Sequence, residues 1–166
     1  MCATGERMSL RSPLNSDHQL VRLLQIGVVL EEVVEARAAK HAAERDDIDP
    51  EVRTFLEEAA EESARHRERI EKLVDELDAE TIGFDQIQRL VEEQYEAGGE
   101  FDGVLYDQLC NEETAYKFYD DLVAAIEGSD VRFGVDRGRL LSTLREIRQE
   151  EKEGAEEVTE LMEAHA

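Results

Sequence analysis

The chain has 166 residues, enough for one domain with a substantial core, and no linker divides it. Its 42 acidic residues against 19 basic ones give a net charge of −23, which repels nucleic acid and anionic membranes and excludes both as expected partners. With prolines only at Pro13 and Pro50, no tryptophan and few other aromatics, nothing interrupts residues 51–166, and an all-α chain is predicted.

The N-terminal stretch MCATGERMSLRSP carries no apolar signal core, so residues 1–15 are expected to be disordered, Met8 offers an alternative start, and a cytoplasmic protein is expected. Lysine is confined to Lys40, Lys72, Lys117 and Lys152, an acidic, arginine-biased balance like that of proteins from salt-accumulating halophilic prokaryotes. A first helix is predicted from a cap at Ser16 or Asp17 to about Arg45. Its apolar run LLQIGVVL is too short to span a bilayer and reads as core. Asp49, Pro50 and Glu51 start a second helix that ends near Leu77. The following DAETIGFDQIQRLVEEQYEAGG is long for a hairpin turn and is predicted to carry a short amphipathic helix near residues 85 to 97. A third helix is predicted from about Asp102 to Glu127, and a fourth from a cap at Asp136 almost to the C-terminus. The long crossover lets the second and third helices run parallel, giving a one-domain four-helix bundle over residues 16–166.

The second helix has a seam of Val52, Leu56, Ala59, Ser63, His66, Ile70, Leu73 and Leu77, so His66 is predicted to be buried. The fourth repeats it as Leu140, Leu144, Ile147, Glu151, Gly154, Val158 and Leu161. The third reads Leu105, Leu109, Glu112, Tyr116, Tyr119, Val123 and Ile126, and the first Val28, Glu32, Glu35, Ala39 and Ala42. Two helical hairpins thus share one pattern. A carboxylate in midseam costs free energy unless it is paired or bound to a cation.

This arrangement resembles the ferritin-like superfamily, especially its rubrerythrin-type branch, over about residues 18–163. There, a Glu from each of two helices and a Glu-x-x-His from each of the other two build a di-iron or di-manganese site. The resemblance implies Glu35 and Glu112 as the lone glutamates, and motifs altered to Ser63-x-x-His66 and Glu151-x-x-Gly154. One metal position would keep Glu35, His66 and Glu151; the second would keep Glu112 and a share of Glu151. The site would therefore be mononuclear or asymmetric, holding one or two ions of iron, manganese or zinc, with Glu32 and Glu62 as substitute ligands. The implied activity is iron or manganese redox with oxygen or peroxide, in oxidative-stress or iron handling.

The residues also admit a metal-free bundle in which His66 is a core histidine hydrogen-bonded to Glu151 or Glu35. Such a module would oligomerise or bind a partner, and a dimer contact is expected through Val29, Leu30, Val33 and Val34. Tyr116 and Tyr119 read first as packing residues whose hydroxyls reach the glutamates. Cys2 and Cys110 form no C-x-x-C pair, which excludes a rubredoxin-type iron centre, so any peroxidase activity would need a separate electron donor. Cys110 reads as an inert small hydrophobe. His18, His41 and His165 are assigned no function.

Overall fold

The computed structural model describes residues 13–44, 48–77, 79, 81, 89 and 103–165. It contains α1 (Asp17–Glu44), α2 (Pro50–Glu76), α3 (Val104–Glu127) and α4 (Arg137–Ala164). Their starts follow local chemistry. Ser16 Oγ accepts the Gln19 amide at 3.2 Å, Asp49 accepts that of Glu51 at 2.8 Å ahead of Pro50, and Asp136 accepts that of Arg139 at 2.9 Å. Asp17, the other predicted cap of α1, instead accepts the Gly134 amide at 3.0 Å and ties the start of α1 to the loop before α4.

Cross-helix pairs give the topology. Arg53 reaches the Ala42 carbonyl while Arg67 reaches Glu35, so α1 and α2 are antiparallel. Glu127 pairs with Arg145 and Asp120 with Arg148, which makes α3 and α4 antiparallel. Asp107 pairs with Arg37 and Tyr119 with Glu31, so α1 opposes α3. Glu76 pairs with Arg139 and His66 with Glu150, so α2 opposes α4. Two tightly packed hairpins, α1 with α2 and α3 with α4, therefore stand side by side with α2 parallel to α3, as a long crossover requires. The predicted helix near residues 85–97 lies outside the described residues apart from Arg89, which is helical.

The core divides into two apolar clusters. The larger, built on Leu20, Leu24, Ile70, Tyr119, Leu122, Leu140 and Leu144, fills the end near the α3–α4 loop. The smaller, built on Ala38, Leu56, Val158 and Leu161, fills the other end. Polar side chains occupy the level between them.

Seven of the eight predicted seam residues of α2 are buried, with Ala59 half-buried, and in α4 only Gly154 is not fully buried. The stripe of α1 is rotated from the predicted one. Leu20, Leu24, Val28, Glu31, Val34, Ala38 and Ala42 are buried, whereas Glu32 and Ala39 are exposed. Of Val29, Leu30, Val33 and Val34, expected at a dimer contact, Val29, Leu30 and Val34 are buried within the chain itself and Val33 is half-buried. Tyr106, 37 % exposed, is the one exposed large hydrophobic among the described residues.

Of the N-terminal segment, residues 1–12 lie outside the described residues. Leu14 is buried, and its carbonyl accepts the Ser129 hydroxyl at 2.6 Å. Cys110 is buried and disulfide-bonded, so the inert free thiol expected there is corrected. No helix is long and apolar enough to cross a membrane among the described residues.

Candidate metal centre

The polar level is built by one residue from the middle of each helix: Glu31 of α1, His66 of α2, Glu112 of α3 and Glu151 of α4, all buried. Each sits where its helix would otherwise supply an apolar seam residue, so packing on both sides holds it inward. His66 Nδ1 is hydrogen-bonded to Glu151 Oε1 at 3.0 Å and lies 3.5 Å from Glu31 Oε1. The Tyr119 hydroxyl donates to Glu31 Oε1 at 2.6 Å, and Gln108 Nε2 donates to Glu112 Oε1 at 2.9 Å. One ligand atom from each of Glu31, His66 and Glu151 lies within 4.8 Å of the others.

Gly154 explains how Glu112 enters. A Cβ at position 154 would lie 2.6 Å from Glu112 Oε2 and 2.8 Å from Oε1, so the carboxylate occupies the space where a side chain on α4 would begin. Ser63, the other altered position, is buried on α2.

The structure brings together His66, Glu112 and Glu151 of the predicted set. It does not bring in Glu35, which is 30 % exposed and paired with Arg67 Nη1 at 3.1 Å. Glu32 faces the same arginine at 3.5 Å. Glu31, one turn earlier on α1, stands in the centre instead. Sequence reasoning passed over Glu31, although a signal was present: its neighbours three, four and seven residues away include Leu24, Gly27, Val28, Val34 and Ala38, whereas Glu35 has Glu31 and Glu32 behind it. Tyr119 lies beside the carboxylates as expected, and Tyr116 is only half-buried.

A second carboxylate pair faces the opposite edge of the ring. His66 Nε2 lies 2.9 Å from Glu150 Oε2 and 3.8 Å from Glu62 Oε1, and these three also form a close group. A third grouping, Asp49, Glu51 and His165, is exposed, and Asp49 is already engaged as the cap of α2.

Burial and mutual repulsion favour the protonated forms of carboxyl groups at the centre. Burial alone would lower the pKa of His66, but the hydrogen bond and charge of Glu31, joined by Glu150 and Glu62, hold it up at about 9. Glu151 is nearer to Nδ1 than Glu31 is. Burial, then the charges of Glu31 and Glu112, push its own pKa well above the usual carboxylate range, so a protonated Glu151 supplies little charge to the ring. Burial also raises Glu112, and burial pushes Glu62 up to about 7. Glu31 Oε2 is buried without a hydrogen-bond partner, as are both amide atoms of Asn111 and Oε1 of Gln108. An unpaired buried carboxylate oxygen is costly, and a cation would satisfy it.

Away from the centre, buried Asp107 binds Arg37 Nη2 at 2.6 Å and lies 2.8 Å from His41 Nε2, which gives His41 a structural contact that its position near the helix end did not announce. A four-helix bundle holding clustered His and Glu side chains suited to a metal ion is therefore present. No protein-family model matches the chain, nor does any curated protein or solved structure.

Proposed function

We propose that this protein is a metal-binding bundle of the ferritin-like, rubrerythrin type, holding one transition-metal ion, iron or manganese with zinc as competitor, between Glu31, His66 and Glu151. Glu112 stands beside the ion as the remnant of a second position. The observation that supports this reading is Glu31 Oε2, buried and unpartnered in a cluster where three carboxyl groups meet a single imidazole. Carboxylate oxygens and one imidazole nitrogen suit these metals, and a divalent cation would replace protons that the centre now retains.

Bound iron or manganese would supply redox chemistry toward oxygen or peroxide. The chain's own residues do the rest. Tyr119 orients Glu31, Gln108 orients Glu112, and Glu150 accepts the Nε2 proton of His66 and so directs Nδ1 toward the centre. The apolar clusters above and below limit water. The sequence has no C-x-x-C pair, so electrons would come from a separate donor. The competing reading is a metal-free oligomerising module; of Val29, Leu30, Val33 and Val34, the residues it would use, only Val33 is not fully buried within the chain.

The test is anaerobic reconstitution of protein purified without tags or chelators, with Fe(II), Mn(II) or Zn(II) added separately. About one tightly bound equivalent and a raised Tm are expected. Less than about a tenth of an equivalent with an unchanged Tm would reject the proposal. Consumption of oxygen or peroxide by the loaded protein then tests the redox assignment.

A further inference from the structure

The imidazole of His66 has two edges, and the position proposed above uses only one. Nε2 faces Glu150 Oε2 at 2.9 Å and Glu62 Oε1 at 3.8 Å, on the seam between α2 and α4. Two observations separate this trio from ordinary solvated acids. Several nearby carboxylates are matched to arginines, Glu32, Glu35 and Glu71 to Arg67, Glu146 to Arg69, and Asp120 to Arg148, whereas Glu62 and Glu150 converge on one buried imidazole. Among the described residues, Glu62 and Glu150 have no arginine or lysine nitrogen at ion-pair distance, and His66 is the base within that distance of both. Exposure also falls steeply inward. The side chains of Glu62 and Glu150 are 33 % and 39 % exposed, that of His66 is 1 %, and that of Glu31 is fully buried. A single buried ring thus separates a solvent-facing carboxylate pair from an enclosed one.

We propose that Glu62, His66 and Glu150 form a second cation position, an entry site that captures a divalent transition-metal ion from solvent before it passes to Glu31, His66 and Glu151. The inference rests on the metal-binding reading above. Two carboxylate oxygens and an imidazole nitrogen make the same class of donor set at the surface as in the core. Capture replaces the proton on Nε2 by the cation, and that proton leaves to solvent. Passage inward returns a proton to Nε2 and removes the one on Nδ1, so the ring carries one cation at a time and releases one proton overall, and the proton held on Glu151 leaves as well when that carboxylate takes up the cation. No oxidant or reductant takes part.

Cobalt(II), whose absorption changes on binding, is the probe. In Glu62→Gln/Glu150→Gln, the uptake rate constant should fall at least about tenfold, within the range of electrostatic focusing. Equilibrium affinity should stay within roughly threefold, because glutamine still accepts the Nε2 proton and so avoids the ~10–100-fold loss of a missing supporting partner. Glu61→Gln/Glu156→Gln makes the same charge change at exposed positions of the same two helices and should leave the rate nearly unchanged. In Glu31→Gln/Glu151→Gln, where the inner position is lost, one weakly bound cobalt should remain, and adding Glu62→Gln/Glu150→Gln should abolish it. The proposal is overturned if the outer variant is no slower than the control pair, if affinity falls in step with the rate, or if the inner variant binds no cobalt. Failure of the unaltered protein to take up cobalt, iron, manganese or zinc would instead reject the metal-binding reading itself.

Discussion

The carboxylate of Glu112 lies against the α-carbon of Gly154, with Oε2 2.6 Å from the place a Cβ would occupy. The smallest possible side chain at 154 must therefore move that carboxylate. Gly154→Ala gains about 1 kcal/mol of helix propensity, offset by displacement of a buried group held by Gln108. The expected outcome is a stability within roughly 1 kcal/mol of the unaltered protein in urea titrations, with weakened metal binding.

Glu31 and Glu35 give a direct comparison. Glu31→Gln removes a buried carboxylate from the centre and should weaken metal binding at least about tenfold, or ~1.4 kcal/mol. Glu35→Gln removes a partly exposed pair with Arg67 and should cost at most about 0.5 kcal/mol of stability, with metal affinity retained. Equilibrium dialysis of the two variants checks the assignment, and the reverse ranking would return Glu35 to the centre.

Stability of the metal-free protein should fall as pH rises. The pKa of Glu62 is raised from 4.5 to about 7, so the folded state holds more protons than the unfolded chain in that window. His66 is raised from 6.5 to about 9, so its contribution is complete below pH 6.5 and lost as pH climbs through 9, on the order of 2–3 kcal/mol. Thermal melts in chelator from pH 6 to 9.5 should show a declining Tm, and His66→Gln should flatten the upper half of the decline. Stabilisation by added metal should grow over the same range, because the cation displaces these protons.

Tyr119→Phe deletes the hydroxyl that donates to Glu31 and leaves the carboxylate less satisfied. A cost of about 1.5–3 kcal/mol is expected in the metal-free protein, smaller once metal is bound, measured by denaturant titration in both states.

The seams of α2 and α4 were legible because their apolar residues recur at strict spacings on both sides of two central positions, Ser63 and His66 in one and Glu151 and Gly154 in the other, and this put His66 and Glu151 inside. The caps at Asp49 and Asp136 were legible for local reasons. In α1 apolar residues occur nearly all round, so periodicity did not fix the rotation, and alignment with α3 placed Glu35 where Glu31 stands. Buried Asp107 and Asn111 on α3 were invisible, because the partners of Asp107 come from α1 and the amide atoms of Asn111 have none among the described residues, and Gln108 is held by Glu112 one turn on, a pairing that matters only once Glu112 is known to be buried. Nothing in the sequence distinguishes Glu150 from the other acids around Glu151, and only the orientation of the His66 ring reveals that it has a partner.

All four adjacent helix pairs are antiparallel, so their macrodipoles oppose one another. The centre sits more than two turns from every helix end, beyond reach of the partly positive amides at an N-terminus. The backbone therefore does almost nothing to neutralise Glu31, Glu112 and Glu151. Their charge is balanced by exchangeable species alone, which makes the middle of the bundle a compartment where protons and metal cations compete for the same places.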